Sequence, residues 1–503
     1  MVSITNQSKL IRYSGILGLL CLSAAFISCG PSGGKTDKGK PGSDSSRAKK
    51  DNIPVASRIS TAKSSGGQYI SWKEHLIDGP DISGVALSGS DGLTMGDLDL
   101  DGYLDIVSVH EADTVYDDIP RGYIRLAFGS ENPDQWELAT LAEGSEAGAA
   151  EDITIGDINN DGWPDIIAAC ELAHLIYFQN PGKEIRSGNW ERKIPSVTLD
   201  RGSYIRVFCA DFNGNGQLEV TAPNKGSQHP GLHTSNLHPI SWFEINGDPL
   251  DGSWTEHVLT RVDIPENSRP VDLDGDGDLD ILGGSRGEER IMWFENLEES
   301  TLTFREHPIN ILKDGEAFPV TGVMVDFEDF NKDGRLDIVV FESPRKRNFG
   351  WIEQPDDPSG EWNLNLIGTI SPDQLMGVVI ADINSDGNPD IMTGGYSSSP
   401  RKRDGDKTVN DALGRLAWFE HPGNAYDPWI RHDVSRRIRA MFDQFVPLDL
   451  DEDGDIDFVT TRGNSYPYDG VLWLEQVRSE EPLKRFIPAR DSESREMGLP
   501  DIK

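Results

Sequence analysis

One acidic pattern recurs so regularly that it decides what this chain can fold into. Asp-x-(Asp/Asn)-x-(Asp/Asn)-Gly-x-x-(Asp/Glu), followed by an aliphatic or aromatic residue, occurs seven times, beginning at Asp97, Asp157, Asp211, Asp272, Asp329, Asp382 and Asp449. The fourth copy, DLDGDGDLDIL, is typical: mutually repelling aspartates, then an abrupt turn to Ile281 and Leu282. A fixed motif returning about every 60 residues marks a repeat architecture, in which each copy is one supersecondary unit. That outweighs the length of 503 residues, which alone would suggest several domains.

The residues between copies follow one script. A short apolar strand enters the acidic loop (MGVVIADIN) and another leaves it (DIVSVH, DIIAAC, DILGGS). A third carries an aromatic-acid signature (IMWFEN, LAWFEH, VLWLEQ), and a fourth often carries an aromatic residue and His (SWTEHVL, PWIRHDV). Short β-favouring runs divided by Gly, Pro and Asn are strand-and-turn language, and no segment has helical periodicity. Four strands per unit and seven units predict an all-β chain, a seven-bladed β-propeller of four-stranded blades with calcium-binding hairpin loops, over residues 67–490. Residues 491–503 read as a C-terminal tail. The fourth strand of the last blade has two candidates, ISWKEHLI before the first loop and LKRFIPAR near the C-terminus. The pattern leaves both open.

Alternating carboxylates in a tight loop suit calcium, a hard cation that takes six to eight oxygens. The helix-loop-helix calcium motif is excluded, because its bidentate Glu at position twelve is Gly283 when counted from Asp272. The expected ligands are positions 1, 3, 5 and 9 by side chain and position 7 by its carbonyl. They are Asp97, Asp99, Asp101, Tyr103 and Asp105 in the first loop, and Asp157, Asn159, Asp161, Trp163 and Asp165 in the second. The third has Asp211, Asn213, Asn215, Gln217 and Glu219, and the fourth Asp272, Asp274, Asp276, Asp278 and Asp280. The fifth has Asp329, Asn331, Asp333, Arg335 and Asp337, and the sixth Asp382, Asn384, Asp386, Asn388 and Asp390. Asp449, Asp451, Asp453, Asp455 and Asp457 complete the seventh. Up to seven structural Ca²⁺ are expected, the third site weakest because two of its acids are amides. Positions two and ten, apolar in every copy, should point into the blade.

The net charge of -38 fits this picture, since more than half of the excess lies in the loops. It also argues against a nucleic-acid partner, because no basic stripe offsets phosphate repulsion.

Taken together, the seven loops and the WFEN-like third strands resemble the FG-GAP/VCBS repeat family. The resemblance implies an integrin-α-like propeller with calcium in the loops, and says little about function, because propellers host many activities.

At the N-terminus, Lys9 and Arg12 precede the run GILGLLCLSAAFIS, which is too short for an ordinary spanning helix. With Cys29 closing it, the segment resembles a bacterial lipoprotein signal, although Phe26 stands where leucine is usual. The resemblance implies cleavage of residues 1–28 and lipidation of Cys29, placing the protein at the cell envelope, outer membrane or cell surface. Residues 29–66 read as a disordered Gly/Ser/Lys tether. Cys170 and Cys209 sit in apolar strand contexts; buried thiols are expected, with a disulfide open.

Five histidines fall into the repeat: His75, His257, His307 and His432 on fourth strands, and His421 on a third. The other five, His110, His174, His229, His233 and His238, follow second strands, on the face opposite the acidic loops. Glu111 and Glu171 occupy the same region. Those seven residues are the candidates if the chain is an enzyme, and imidazoles beside carboxylates could act as acid and base or bind a transition metal. Two functions follow. The first is a non-catalytic, lipid-anchored propeller binding an extracellular glycan or protein ligand. The second is a carbohydrate-active enzyme of lyase or dehydratase type, which requires those histidines to converge.

Overall fold

The computed structural model describes residues 53–111, 121–172, 174–187, 189–232, 236–297, 301–343, 346–397 and 407–500. Cys29, the signal segment, most of the tether and His233 lie outside the described residues. The described chain forms seven sheets, each built on four antiparallel strands, in sequence order in all but the last. Blade one runs Ser90–Gly96, Asp105–His110, Tyr123–Phe128 and Glu137–Glu143, and the later blades repeat it. The one α-helix among the described residues is the short turn Pro80–Ser83. Blade five carries two extra strands, Asn310–Lys313 and Glu316–Ala317, on its outer edge.

Each acidic loop joins the first and second strands of its blade, and its geometry explains its spelling. The first Asp accepts backbone N–H bonds with both oxygens: in loop two, Asp161 N donates to Asp157 Oδ1 at 3.0 Å and Gly162 N to Oδ2 at 2.9 Å. The glycine at position six has a left-handed φ in all seven loops, from 82° to 103°. An added Cβ there would meet nothing in space. The requirement is therefore conformational, since L residues resist that backbone geometry. Position ten is fully buried in every copy, and position two is buried in six, with Leu450 half-buried. Both expectations hold.

The third strand supplies a stitch between blades. In IMWFEN, the Asn296 backbone N–H donates to Asp280 Oδ1 at 2.8 Å, while its side-chain Nδ2 donates to the Phe212 carbonyl of the preceding loop at 2.7 Å. Asn180 bridges to the Leu98 carbonyl, Gln354 to Leu273 and Gln476 to Ile383 in the same way. Asn296→Ala should leave a buried carbonyl unsatisfied and cost about 1–3 kcal/mol, measured by urea unfolding; a change within error would mean that water replaces the stitch.

The repeat histidines are accounted for. His75, His257, His307 and His432 stack on the cross-strand Trp473, Trp242, Trp293 and Trp418, with ring centroids 4.0–4.6 Å apart. Each also bonds the glutamate of that third strand, as His307 Nε2 does with Glu295 at 2.7 Å.

Both candidate closing segments are used. Tyr69–Asp78 is the fourth strand of blade seven, antiparallel to Gly470–Ser479, and Phe486–Ile487 adds a short parallel strand outside it. The expected propeller boundaries move outward at both ends. Residues 53–66, read from composition as tether, pack on the ring: Val55 and Ala62 are buried, and Val55 N donates to the Met497 carbonyl. A few apolar residues among serines and lysines suffice when a groove receives them. Residues 491–500, read as tail, carry Glu493 and Glu496 onto the buried Arg462 and Arg437. Cys170 and Cys209 are both free thiols.

Candidate ligand site on the propeller axis

First strands begin, and second strands end, on the face opposite the acidic loops. There the ring encloses a cavity of about 530 Å³ to which all seven blades contribute. Its lining has a repeat logic. The residue six places beyond position nine of each loop gives Glu111, Glu171, Lys225, Arg286 and Tyr396 to the wall in blades one, two, three, four and six. The residue six places before each loop's first Asp gives Asp91, Glu151 and Met376, with Glu266 and Asp443 buried alongside.

Charge is unevenly spread over this wall. Asp91, Glu111 and Glu151 gather where blades one and two meet, each offering an oxygen such that all three lie within 4.8 Å of one another. Burial, then Glu151, Glu111 and Asp443, hold the Asp91 carboxyl well above the usual range. Cations stand on the following blades. Lys225 contacts Glu171, Arg286 Nε lies 3.0 Å from Glu266, and Arg206 is 3.4 Å from Asp443 below. Burial pulls the Lys346 amine below its ordinary value, with Glu266 opposing.

Of the candidate catalytic residues, Glu111, Glu171 and His229 line this cavity and the other described histidines do not. His110 is buried between Ser90 Oγ (2.7 Å) and Ser108 Oγ (3.0 Å), and burial lowers its imidazole to about 4. His174 Nε2 donates to the Glu146 carbonyl at 3.1 Å, and His238 packs over Gly226. No group of three possible metal ligands among the described residues contains a histidine. Among the described residues the convergence required of them is absent: His110 ends a buried strand and faces inward rather than belonging to a loop. Sequence reading missed Asp91, Glu151, Lys225, Glu289 and Lys346. Aligning the repeats on the acidic loop and reading outward six places would have found the first three.

On the other face, three of the acidic loops gather oxygens that fit calcium. Positions 1, 3 and 5 bring three carboxylates within 4.8 Å in the loops of Asp97, Asp272 and Asp449. That all-oxygen set suits a hard cation. In loops two, five and six the position-three amide instead donates to the position-five carboxylate, as Asn159 Nδ2 does to Asp161 Oδ2 at 2.9 Å. In the third loop Asn213 Nδ2 donates to Glu219 Oε1 at 2.7 Å. The acid at position nine has a separate duty. Asp280 Oδ2 accepts from Leu273 N and Oδ1 from Asn296 N, and five other copies do the same. A fold reason for that acid therefore exists with or without a metal, and the case for calcium rests on positions 1, 3 and 5.

Comparison with known families settles what the loops are. The FG-GAP-like repeat model matches residues 97–168, 157–222, 272–340 and 329–393, each span running from one acidic loop through the next. These are FG-GAP-like repeats. Beyond these FG-GAP-like repeats, solved structures of low identity align with the ring at the level of the chain trace. They include the β-propeller domain of Myceliophteria thermophila Cps50 (Swd1), at 10% identity and TM-score 0.45, covering 78% of this chain and 98% of that one. BBS1N in complex with ARL6DN aligns at 10% identity and TM-score 0.41, covering 84% and 100%. Bacillus licheniformis rhamnogalacturonan lyase PL11 aligns at 10% and 0.39, covering 88% and 77%. None of the curated proteins compared matches the chain.

Proposed function

We propose that this chain is a calcium-stabilised, lipid-anchored extracytoplasmic propeller that binds a glycan through the axial cavity, without catalysing its conversion. The observation that carries the reading is the cavity, to which all seven blades contribute and whose wall sets acids, bases and amides among apolar side chains such as Leu375 and Met376. Polar groups on a rigid ring suit a ligand rich in hydroxyls, and loops on such a scaffold are where recognition usually resides. The acidic loops serve as scaffold, and Cys29 would carry the lipid that holds the propeller at the envelope. A protein ligand is the second occupant expected from the sequence; a narrow axial cavity favours a saccharide over a folded surface. Among the described residues the enzyme reading finds no histidine constellation.

A glycan-array screen tests this, with Arg286→Ala and Tyr396→Ala as cavity variants. Binding to one glycan class is expected, weakened at least about tenfold in each variant, equivalent to about 1.4 kcal/mol. Equal binding by wild type and variants would move the ligand elsewhere. Mass spectrometry of the bound glycan after incubation should show it unchanged; cleaved or dehydrated product would restore the enzyme reading.

A further inference from the structure

We propose that Asp91, Glu111 and Glu151 bind a hard divalent cation at the propeller axis, separate from the acidic loops and open to the cavity. The three come from two blades: Asp91 from the first strand of blade one, Glu111 from the exit of its second strand, and Glu151 from the first strand of blade two. Gly92 lets those blades meet, because a Cβ there would stand 2.7 Å from the Glu151 carbonyl oxygen. The approach sets three carboxylate oxygens within 4.8 Å of one another.

A second observation points to a ligand. Asp91 is 3% exposed, lines the cavity, and its Oδ1 has no hydrogen-bond partner among the described residues. A buried polar oxygen without a partner costs free energy, and a buried carboxylate more. The neighbouring cations make their close ion pairs outside the trio, Lys225 with Glu171, Arg206 with Asp443 and Arg286 with Glu266. Lys225 offsets part of the charge on Glu151 and Glu111, and Arg206 part of that on Asp91 and Glu151. An all-carboxylate set without His or Cys selects calcium, magnesium or manganese over zinc or copper. Three protein oxygens cover one side of such an ion. The remaining positions face the cavity, where water, or the hydroxyl or carboxylate oxygens of a saccharide, complete the shell. This deepens the glycan reading by giving the cavity an ion through which the ligand is held.

The test counts calcium ions bound per full-length chain by native mass spectrometry. Asp91→Asn/Glu151→Gln should bind one ion fewer than wild type, and Asp272→Asn/Asp274→Asn, which alters only an acidic loop, should also lose one. Combined, they should lose two. In EDTA the Asp91→Asn/Glu151→Gln variant should melt no lower than wild type, since substitution removes repulsion. Should that pair fail to fold, Glu111→Gln at the half-buried rim keeps the question decidable: calorimetric titration should show one site weakened at least tenfold. An unchanged ion count in the pair, or an unchanged titration in Glu111→Gln, overturns the proposal. If the loop variant loses nothing while the axial variant loses one, the loops fail as calcium sites and the axial site stands. Glycan binding that survives loss of the axial ion would sever that ion from recognition.

Discussion

Removing calcium with EDTA is expected to lower the melting temperature of the purified chain by about 10 °C or more. Each ion held only by the folded state stabilises it by about 2.7 kcal/mol at a hundredfold excess over Kd. The three loops with carboxylates at positions 1, 3 and 5 are the strongest of the proposed sites and, loaded, would together supply about 8 kcal/mol on that scale. Without cations those carboxylates repel one another: burial, then Asp276, raises the Asp274 carboxyl above its ordinary value. Scanning calorimetry with and without EDTA, then with calcium restored, decides the matter. An unchanged melt would reduce the loops to hydrogen-bonded turns, which positions one and nine could sustain without an ion.

The second large effect concerns ring closure. Glu74, on the N-terminal strand, receives Arg437 Nη1 and Nη2 at 2.8 and 3.0 Å, and both side chains are out of solvent. Arg437 ends the fourth strand of blade six, and Glu493 and Glu496 approach it from the C-terminal segment. Glu74→Ala would leave a guanidinium buried beside Arg462 with less compensation. A loss of about 3–5 kcal/mol is expected, read as a lower urea midpoint. Wild-type stability in this variant would mean that Glu493 and Glu496 suffice.

The same cluster sets a response to acid. Burial opposes the charge on Glu493, yet Arg462 and Arg437 outweigh it and hold the carboxyl down to about 2. A depressed folded value contributes stability that is complete above the unfolded value near 4.3 and is lost as pH falls toward 2. Closure should therefore weaken between those limits.

Most of the scaffold was readable because its constraints are local. Position two, position six and position ten of each loop state burial and backbone geometry within one short stretch, and seven copies remove ambiguity. The choice between ISWKEHLI and LKRFIPAR was not local: both fit the strand pattern, and the ring has room for both, one antiparallel and one parallel. His110 misled for a related reason. It precedes a loop in sequence, but the strand continues through it and turns its ring inward onto Ser90 and Ser108. Asp91 and Glu151 were passed over because each looks like an isolated acid in an apolar entry strand. Only the closed ring brings two such strands side by side. Cavity residues contributed once per blade are legible as a set only after the repeat is used as a ruler.

The clasp in blade seven also constrains how the molecule is made. Tyr69–Asp78 emerges from the ribosome before blades one to six, whereas its neighbours Gly470–Ser479 and Phe486–Ile487 follow them. Blades one to six can assemble as they appear, but Tyr69–Asp78 must wait, edge exposed, until blade seven has been made. A circular permutant with new ends between two blades would carry that strand beside its partner from the start. It should close sooner and aggregate less during refolding, at the cost of leaving a different blade unsealed.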